Sequence, residues 1–254
     1  MPVTILQNDG AGNLNFLPSE YNFPNLTGFW NTLAFADLNQ DGQLDIVAGN
    51  RGANSLLNAD QAHPVKLYLG DFDENGAVDP LIFFYYFNRY IPLGSKDKYV
   101  SQLPALKKNF VTYQDFSRVS SFEELLPDAQ ERLVESKEVN ELRSMLFLSQ
   151  DGQYTAVPLP DRLQALTIQD IFLDGDQGKI YYIGSNQELV AVQSNALSAK
   201  GGMLSEFDAA TQTFKGDNWF GLPTGINVRA LVRLENGKGL IITNDDYPFL
   251  VDLP

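Results

Sequence analysis

Cysteine is absent from the 254 residues, and histidine occurs only once, as His63. Without cysteine the chain can form no disulfide bond, no thiolate metal site and no thiol nucleophile. A single histidine also excludes metal sites built from several imidazoles and argues against serine–histidine hydrolases. Carboxylates and amides are therefore the side chains most able to carry chemistry.

Basic residues are few: 18 lysines and arginines stand against 32 aspartates and glutamates, which gives a formal charge of −14. Such a chain can neutralise few phosphates, so we expect no nucleic-acid partner. Docking on anionic lipid is disfavoured for the same reason. The charge instead suits divalent cations or basic partners.

Long hydrophobic runs are missing as well. The densest run, at residues 81–87, has only the length of a strand, so we expect no direct insertion into a membrane. No signal peptide precedes residues 2–6, which fits either an intracellular protein or a mature piece whose leader was removed.

Turn residues divide most of the sequence into short strand patterns. Hairpins are predicted around Asp9, Asp151 and Asp208, the first two being followed by glycine, which permits the positive φ values of tight turns. Four strand–loop–strand units also recur, with loops that begin at Asp37, Asp71, Asp174 and Glu235. Repetition every few tens of residues is typical of propellers and solenoids. We predict an all-β fold: one domain over residues 1–254, a β-propeller or propeller fragment of about four blade-like repeats.

The strand pattern stops between residues 95 and 140. Apolar residues there recur at steps of three or four, which predicts one shared helix face made of Leu103, Leu106, Phe110, Tyr113 and Phe116. Ser121 and Glu124 form a capping-box pattern, and Pro127 is expected to begin a second helix carrying Leu133 and Val134. We predict a helical insertion packed on the β body; a separately folding linker domain is the alternative.

Two nine-residue loops carry the strongest chemical signal. Both match the pattern D-x-D/N-x-D/N-G-x-L/V-D, and they start 34 residues apart (71 − 37). The first, third, fifth and ninth positions supply oxygen side chains, the seventh a backbone carbonyl, and the glycine at the sixth a sharp turn. The predicted metal ligands are Asp37, Asn39, Asp41, Gln43 and Asp45 in the first loop, and Asp71, Asp73, Asn75, Ala77 and Asp79 in the second.

An all-oxygen ligand set favours a hard cation, and calcium tolerates irregular coordination, so we predict two Ca²⁺ sites. Two carboxylates about 4 Å apart repel by about 4 kcal/mol at an effective dielectric of about 20, which a bound cation would offset. The loops differ from EF-hands because their twelfth residues, Ala48 and Ile82, cannot replace the bidentate glutamate. A pair of metal-free Asp/Asn turns is the alternative.

The loops that begin at Asp174 and Glu235 are degenerate. Tyr181 stands where the closing aspartate of the earlier loop belongs, and the later loop keeps little beyond its turn residues. We interpret both as structural turns without an ion, in which Lys179 and Lys238 replace the charge of the cation.

The loops at 37–45 and 71–79 resemble the FG-GAP/VCBS repeats of integrin-like β-propellers, in which a D-x-D-x-D-G-x-x-D hairpin loop binds calcium. Residues 35–50, 67–73, 102–110 and 147–154 are similar to the C-terminal part of large bacterial surface proteins that also carry an UnbV/ASPIC-type domain, although that domain itself is absent. The resemblance implies a binding role at the cell surface or outside the cell, and carries metal binding to the first two loops only.

The leading interpretation is therefore a non-enzymatic, calcium-binding propeller module that binds a protein or carbohydrate ligand. One alternative is a polysaccharide-active enzyme, such as a lyase, in which calcium aids substrate binding. Another is a purely structural spacer in a longer chain.

Three further features each have two interpretations. His63 could be a ligand or a general base, but a lone histidine before a proline fits an ordinary surface residue. Trp30, Trp219 and Phe220 could stack on sugar rings or fill a core between blades. The acidic residues of the predicted insertion fit a solvated helix face better than a docking surface for a basic partner.

Overall fold

The computed structural model describes residues 1–16, 23–174, 178–185, 201–220, 222, 227–235, 237–244 and 247–253. Strands make up 44% of the structure and helices 11%, which confirms the predicted all-β class. The strands are β1 (Leu6–Asn8), β2 (Leu14–Phe16), β3 (Thr32–Ala36), β4 (Asp45–Gly49), β5 (Val65–Gly70), β6 (Asp79–Tyr86), β7 (Arg89–Pro92), β8 (Leu133–Val139), β9 (Met145–Gln150), β10 (Gln153–Pro158), β11 (Ile168–Asp174), β12 (Lys179–Gly184), β13 (Gly202–Asp208), β14 (Thr213–Trp219), β15 (Val228–Arg233), β16 (Lys238–Thr243) and β17 (Phe249–Asp252). The helices are α1 (Lys96–Gln102), α2 (Leu106–Asn109), α3 (Tyr113–Phe116) and α4 (Phe122–Leu125), with 3-10 turns at Gln130–Arg132 and Leu163–Ala165.

The chain divides into two compact units. The first contains Met1 and residues 56–141, and the second contains residues 2–55 and 142–254. The helices predicted between residues 95 and 140 lie in the first unit together with the four strands β5–β8.

The first unit is built on an antiparallel sheet with the strand order β7-β6-β5-β8. Helices α1–α4 cover it, because their apolar residues share a core with side chains from the sheet and from the Asp-rich loop at residues 71–79. The fully or nearly fully buried members of this core include Phe72, Leu81, Phe83, Leu103, Leu106, Phe122 and Leu125.

The predicted continuous helix face is wrong in part. Leu103 and Leu106 are buried as expected, but Leu103 follows α1 whereas Leu106 begins the separate short helix α2, and Tyr113 is 62% exposed. Pro104 explains the break, since proline cannot continue the hydrogen-bond pattern of a helix interior. The second predicted helix is also wrong, because residues 133–139 form strand β8.

Among the residues that the structure describes, no helix is long and apolar enough to cross a bilayer.

The capping prediction is half right. Ser121 is the N-cap of α4 and accepts the backbone N–H of Glu124 at 3.2 Å. The carboxylate of Glu124, however, accepts from Ser120. A complete capping box lies at the start of α3 instead, formed by Thr112 and Asp115.

In its described residues, the second unit contains four antiparallel sheets. Their strand orders are β1-β2, β10-β9-β4-β3, β11-β12-β13-β14 and β15-β16-β17. The predicted hairpins β1–β2, β9–β10 and β13–β14 are confirmed by their pairing. Strand β4 pairs with β9, where Val47 lies opposite Leu146, and both side chains are fully buried in the largest core of this unit.

Candidate metal centres

The two Asp-rich loops each connect the strands of a hairpin. The first lies between β3 and β4, and the second between β5 and β6. In both, the ninth loop residue is already paired with the residue that precedes the loop: Asp45 lies opposite Ala36, and Asp79 lies opposite Gly70. Sheet pairing therefore closes each loop at its base.

The backbones of the two loops bend at the same positions. At the fourth position Gln40 has a φ of 60° and Glu74 a φ of 62°, while the glycines at the sixth position, Gly42 and Gly76, have φ values of 85° and 86°. Residues with a side chain rarely adopt this left-handed conformation, which is why glycine is favoured at the sixth position.

The hydrogen bonds of the two loops also correspond. The first aspartate accepts backbone N–H groups from the fifth and sixth residues, at 2.8–3.0 Å. The fifth side chain accepts the N–H of the seventh at 2.8 Å, and the ninth aspartate accepts the N–H of the second. The shared sequence pattern thus produces one repeated local structure.

The second loop brings its three carboxylates together. Asp71, Asp73 and Asp79 each offer an oxygen within 4.8 Å of the other two. Asp79 is buried, and the Oδ1 atom of Asp73 is buried without a hydrogen-bond partner. A buried acceptor that lacks a donor is costly, and neighbouring like charges repel, so this arrangement fits a cation.

The first loop does not bring its acids together in the same way. Among the residues that the structure describes, only the acids of the second loop form such a group. In the first loop Asp45 is fully buried; its Oδ2 accepts the N–H groups of Leu38 and Asn39, and its Oδ1 accepts that of Ser149. Burial raises the pKa of Asp45, against the opposing effect of these hydrogen bonds.

Two other predicted ligands of the first loop contact β9 and its turn. Asn39 Nδ2 donates to the carbonyl of Ser149 at 2.8 Å. Gln43 Oε1 accepts from Ser149 Oγ at 3.1 Å and from the N–H of Gly152 at 3.2 Å. The predicted contribution of Gln43 is its backbone carbonyl, which these side-chain bonds leave unaffected. The same backbone role stays a prediction for Ala77.

The sequence reasoning did not identify two residues beside the second loop. Gln102 Nε2 donates to Asp79 Oδ1 at 3.2 Å. Arg132 donates to the Phe72 carbonyl at 3.1 Å and pairs with Glu74 at 2.9 Å. Gln102 ends α1 and Arg132 precedes β8, so no local pattern in the sequence connects either residue to the loop.

The degenerate loops are described only in part. Asp174 pairs with Arg233 at 2.6 Å, and Lys238 pairs with Asp252 at 3.3 Å. An arginine from the neighbouring strand β15 therefore lies against the acid at Asp174. Residues 175–177 and Asn236, on which the interpretation of these loops as ion-free also depends, lie outside the described residues.

The aromatic residues considered for sugar stacking have different surroundings. Trp30 packs against Phe147, with the ring centroids 5.8 Å apart, and Phe220 is 6% exposed in a hydrophobic core. Neither ring forms an open platform. The side chain of Trp219 lies outside the described part of the chain.

The fold and the loops define an all-β protein of antiparallel hairpins with acidic connecting loops. Residues 1–48 match the family model of an FG-GAP-like repeat, and residues 29–78 match that of the FG-GAP repeat. The second match covers the whole first loop and all but the last residue of the second. These matches support FG-GAP-type repeats within residues 1–78. Comparison with the curated proteins and with the solved structures found no match.

Proposed function

We propose that this protein is a calcium-binding β-propeller repeat module that has no enzymatic activity and binds a protein or carbohydrate at the cell surface. The observation that carries the proposal is the convergence of Asp71, Asp73 and Asp79 within 4.8 Å, with one buried oxygen of Asp73 left without a donor. A hard cation with oxygen ligands would neutralise the cluster and supply the missing partner.

The sheets support the propeller part of the proposal. Among the described residues, three antiparallel sheets have four strands, the number in a propeller blade, and a further sheet has three. We assign one blade-like repeat to each of these four sheets. The location at the surface of a cell, and the relation to UnbV/ASPIC-type proteins, come from the resemblance of the loops and their flanks.

In the second loop Asp71, Asp73 and Asp79 would hold the ion, with the Asn75 side chain and the Ala77 carbonyl as further ligands. The bound ion would neutralise the acids and fix the loop. In the first loop the acids do not converge in the same way, so they would have to move closer together to hold an ion. We therefore expect the first loop to bind calcium more weakly.

The test is a melting curve of the whole chain recorded with EDTA, with calcium and with magnesium. EDTA should lower the melting temperature and calcium should restore it, because a ligand that binds only the folded state stabilises it by mass action. Magnesium is the matched control and should restore less, since it demands near-octahedral geometry. A melting curve that is identical in all three buffers would remove the metal from the proposal.

A further inference from the structure

An open cleft lies in the first unit between the loop at residues 58–63 and the hairpin tip that joins β6 to β7. Its volume is about 440 Å³, which is within the size range of small-molecule sites. Asn58, Asp60, His63, Tyr85, Phe87 and Asn88 are among the residues that line it. None of them belongs to the Asp-rich loops.

Aromatic rings form one side of the cleft. Phe87 is 83% exposed and Tyr86 is 38% exposed, and their rings meet edge-on with centroids 4.3 Å apart. His63 stacks on Tyr85 at 3.9 Å with an angle of 24° between the ring planes. Because His63 covers a face of Tyr85, Phe87 and Tyr86 are left as the accessible apolar surfaces.

Phe87 destabilises the folded protein in two ways. Its φ of 47° and that of Asn88, 61°, lie in the left-handed region, where a bulky side chain is strained and glycine or asparagine is preferred in a two-residue hairpin. Its ring is also left largely in water. Strain and exposed apolar surface of this kind are concentrated at binding sites.

Polar groups form the other side. Asn58 and Asn88 are exposed, and their carboxamides can both donate and accept hydrogen bonds. Asp60 Oδ1 accepts the backbone N–H groups of His63 at 2.7 Å and Ala62 at 2.8 Å, which fixes the carboxylate. These bonds, with that from His63 the largest cause, hold the pKa of Asp60 below its ordinary value, so the group is charged at neutral pH.

We propose that this cleft binds a neutral saccharide of one or two rings. A pyranose presents an apolar C–H face, which fits the exposed ring of Phe87, and hydroxyl groups, which fit the two carboxamides and the carboxylate. The charge of Asp60 repels sugar acids. A quaternary ammonium ligand needs several ring faces around it, and His63 already occupies that of Tyr85. The inference gives a ligand class to the proposed binding function.

The experiment is saturation-transfer NMR on the whole chain with the methyl glycosides of glucose, galactose and N-acetylglucosamine, and with cellobiose. Methyl glucuronide and choline are the charged comparators. At least one neutral sugar should give a signal that exceeds both comparators. The absence of any neutral-sugar signal, or a stronger signal from a charged comparator, would overturn the proposal.

The decisive variant is Phe87→Asn. Asparagine suits the left-handed turn, so the melting temperature should hold or rise, while affinity for the sugar should fall by about tenfold or more. Tyr247→Ala removes a ring of matched exposure, 86%, outside the cleft and should bind as the wild type does. Unchanged binding by Phe87→Asn would refute the site. If the sugar signal depends on Phe87 and persists in EDTA, the saccharide site is supported even if the calcium proposal fails.

Discussion

Gln102 Nε2 lies 3.2 Å from Oδ1 of Asp79, so the end of helix α1 donates a hydrogen bond to the closing carboxylate of the second loop. The other oxygen of Asp79 accepts the backbone N–H of Phe72 at 3.1 Å. Both oxygens are therefore oriented by donors before any ion binds. Loss of a partner that orients a metal ligand typically weakens metal affinity by about 10- to 100-fold.

Replacing Gln102 by alanine should weaken calcium binding at the second loop by about tenfold or more, because Asp79 loses the donor that orients it. Calorimetric titration in an Asp41→Ala background, which disables the first loop, measures this affinity separately. Gln114→Ala, which removes an exposed glutamine from α3, is the matched control. Equal calcium affinities for the Gln102 and Gln114 variants would contradict an orienting role.

Asp73→Asn should have opposite effects in the two states of the protein. In EDTA it removes one of three clustered charges and should raise the melting temperature. In calcium it removes a charged ligand and should lower both the affinity and the stabilisation by the ion. Asp128→Asn, which neutralises an exposed acid elsewhere in the same unit, should change neither quantity. A shift of the same sign in both buffers would argue against a cation at this cluster.

The hairpins could be predicted from the sequence because their signals are local. Glycine at the sixth position of each loop, between two strand patterns, predicts a sharp turn there. Gly42 and Gly76 accordingly adopt left-handed φ values. The helical stretch was predicted less well, since spacing alone did not indicate that Pro104 separates α1 from α2. Tertiary pairing likewise made residues 133–139 a strand beside β5.

The difference between the two loops could not be predicted, because it depends on residues distant in sequence. The backbone N–H of Ser149 reaches Asp45 across 104 positions, and Gln102 reaches Asp79 across 23. A nine-residue pattern specifies the ligands and the local turn. It carries no information about which neighbouring strand or helix supplies the donors that fix each carboxylate.

Asp45→Ala should destabilise the protein even in EDTA. The substitution leaves the N–H groups of Leu38, Asn39 and Ser149 without their acceptor at a buried site, which we expect to cost about 3 kcal/mol. Urea denaturation in EDTA measures the loss without any contribution from metal. Asp37→Ala is the comparison. The carboxylate of Asp37 accepts N–H groups that are exposed to water, so its loss should cost much less free energy of unfolding. Equal losses for the two variants would refute the structural role of Asp45.

The capping box of α3 should make stability depend on pH through Asp115. Hydrogen bonds from the Thr112 side chain, and then from its backbone N–H, hold the pKa of Asp115 below its ordinary value. A carboxylate with a lowered pKa stabilises the fold above its ordinary pKa, about 3.9, and that contribution is lost as the pH falls through the lowered value. Thr112→Ala should therefore lower the melting temperature most at neutral pH and progressively less below about pH 4. Thr112→Ser retains the hydroxyl and should follow the wild type. If Thr112→Ala lowered the melting temperature by the same amount from pH 7 to about pH 2, Asp115 would not be coupled to the cap.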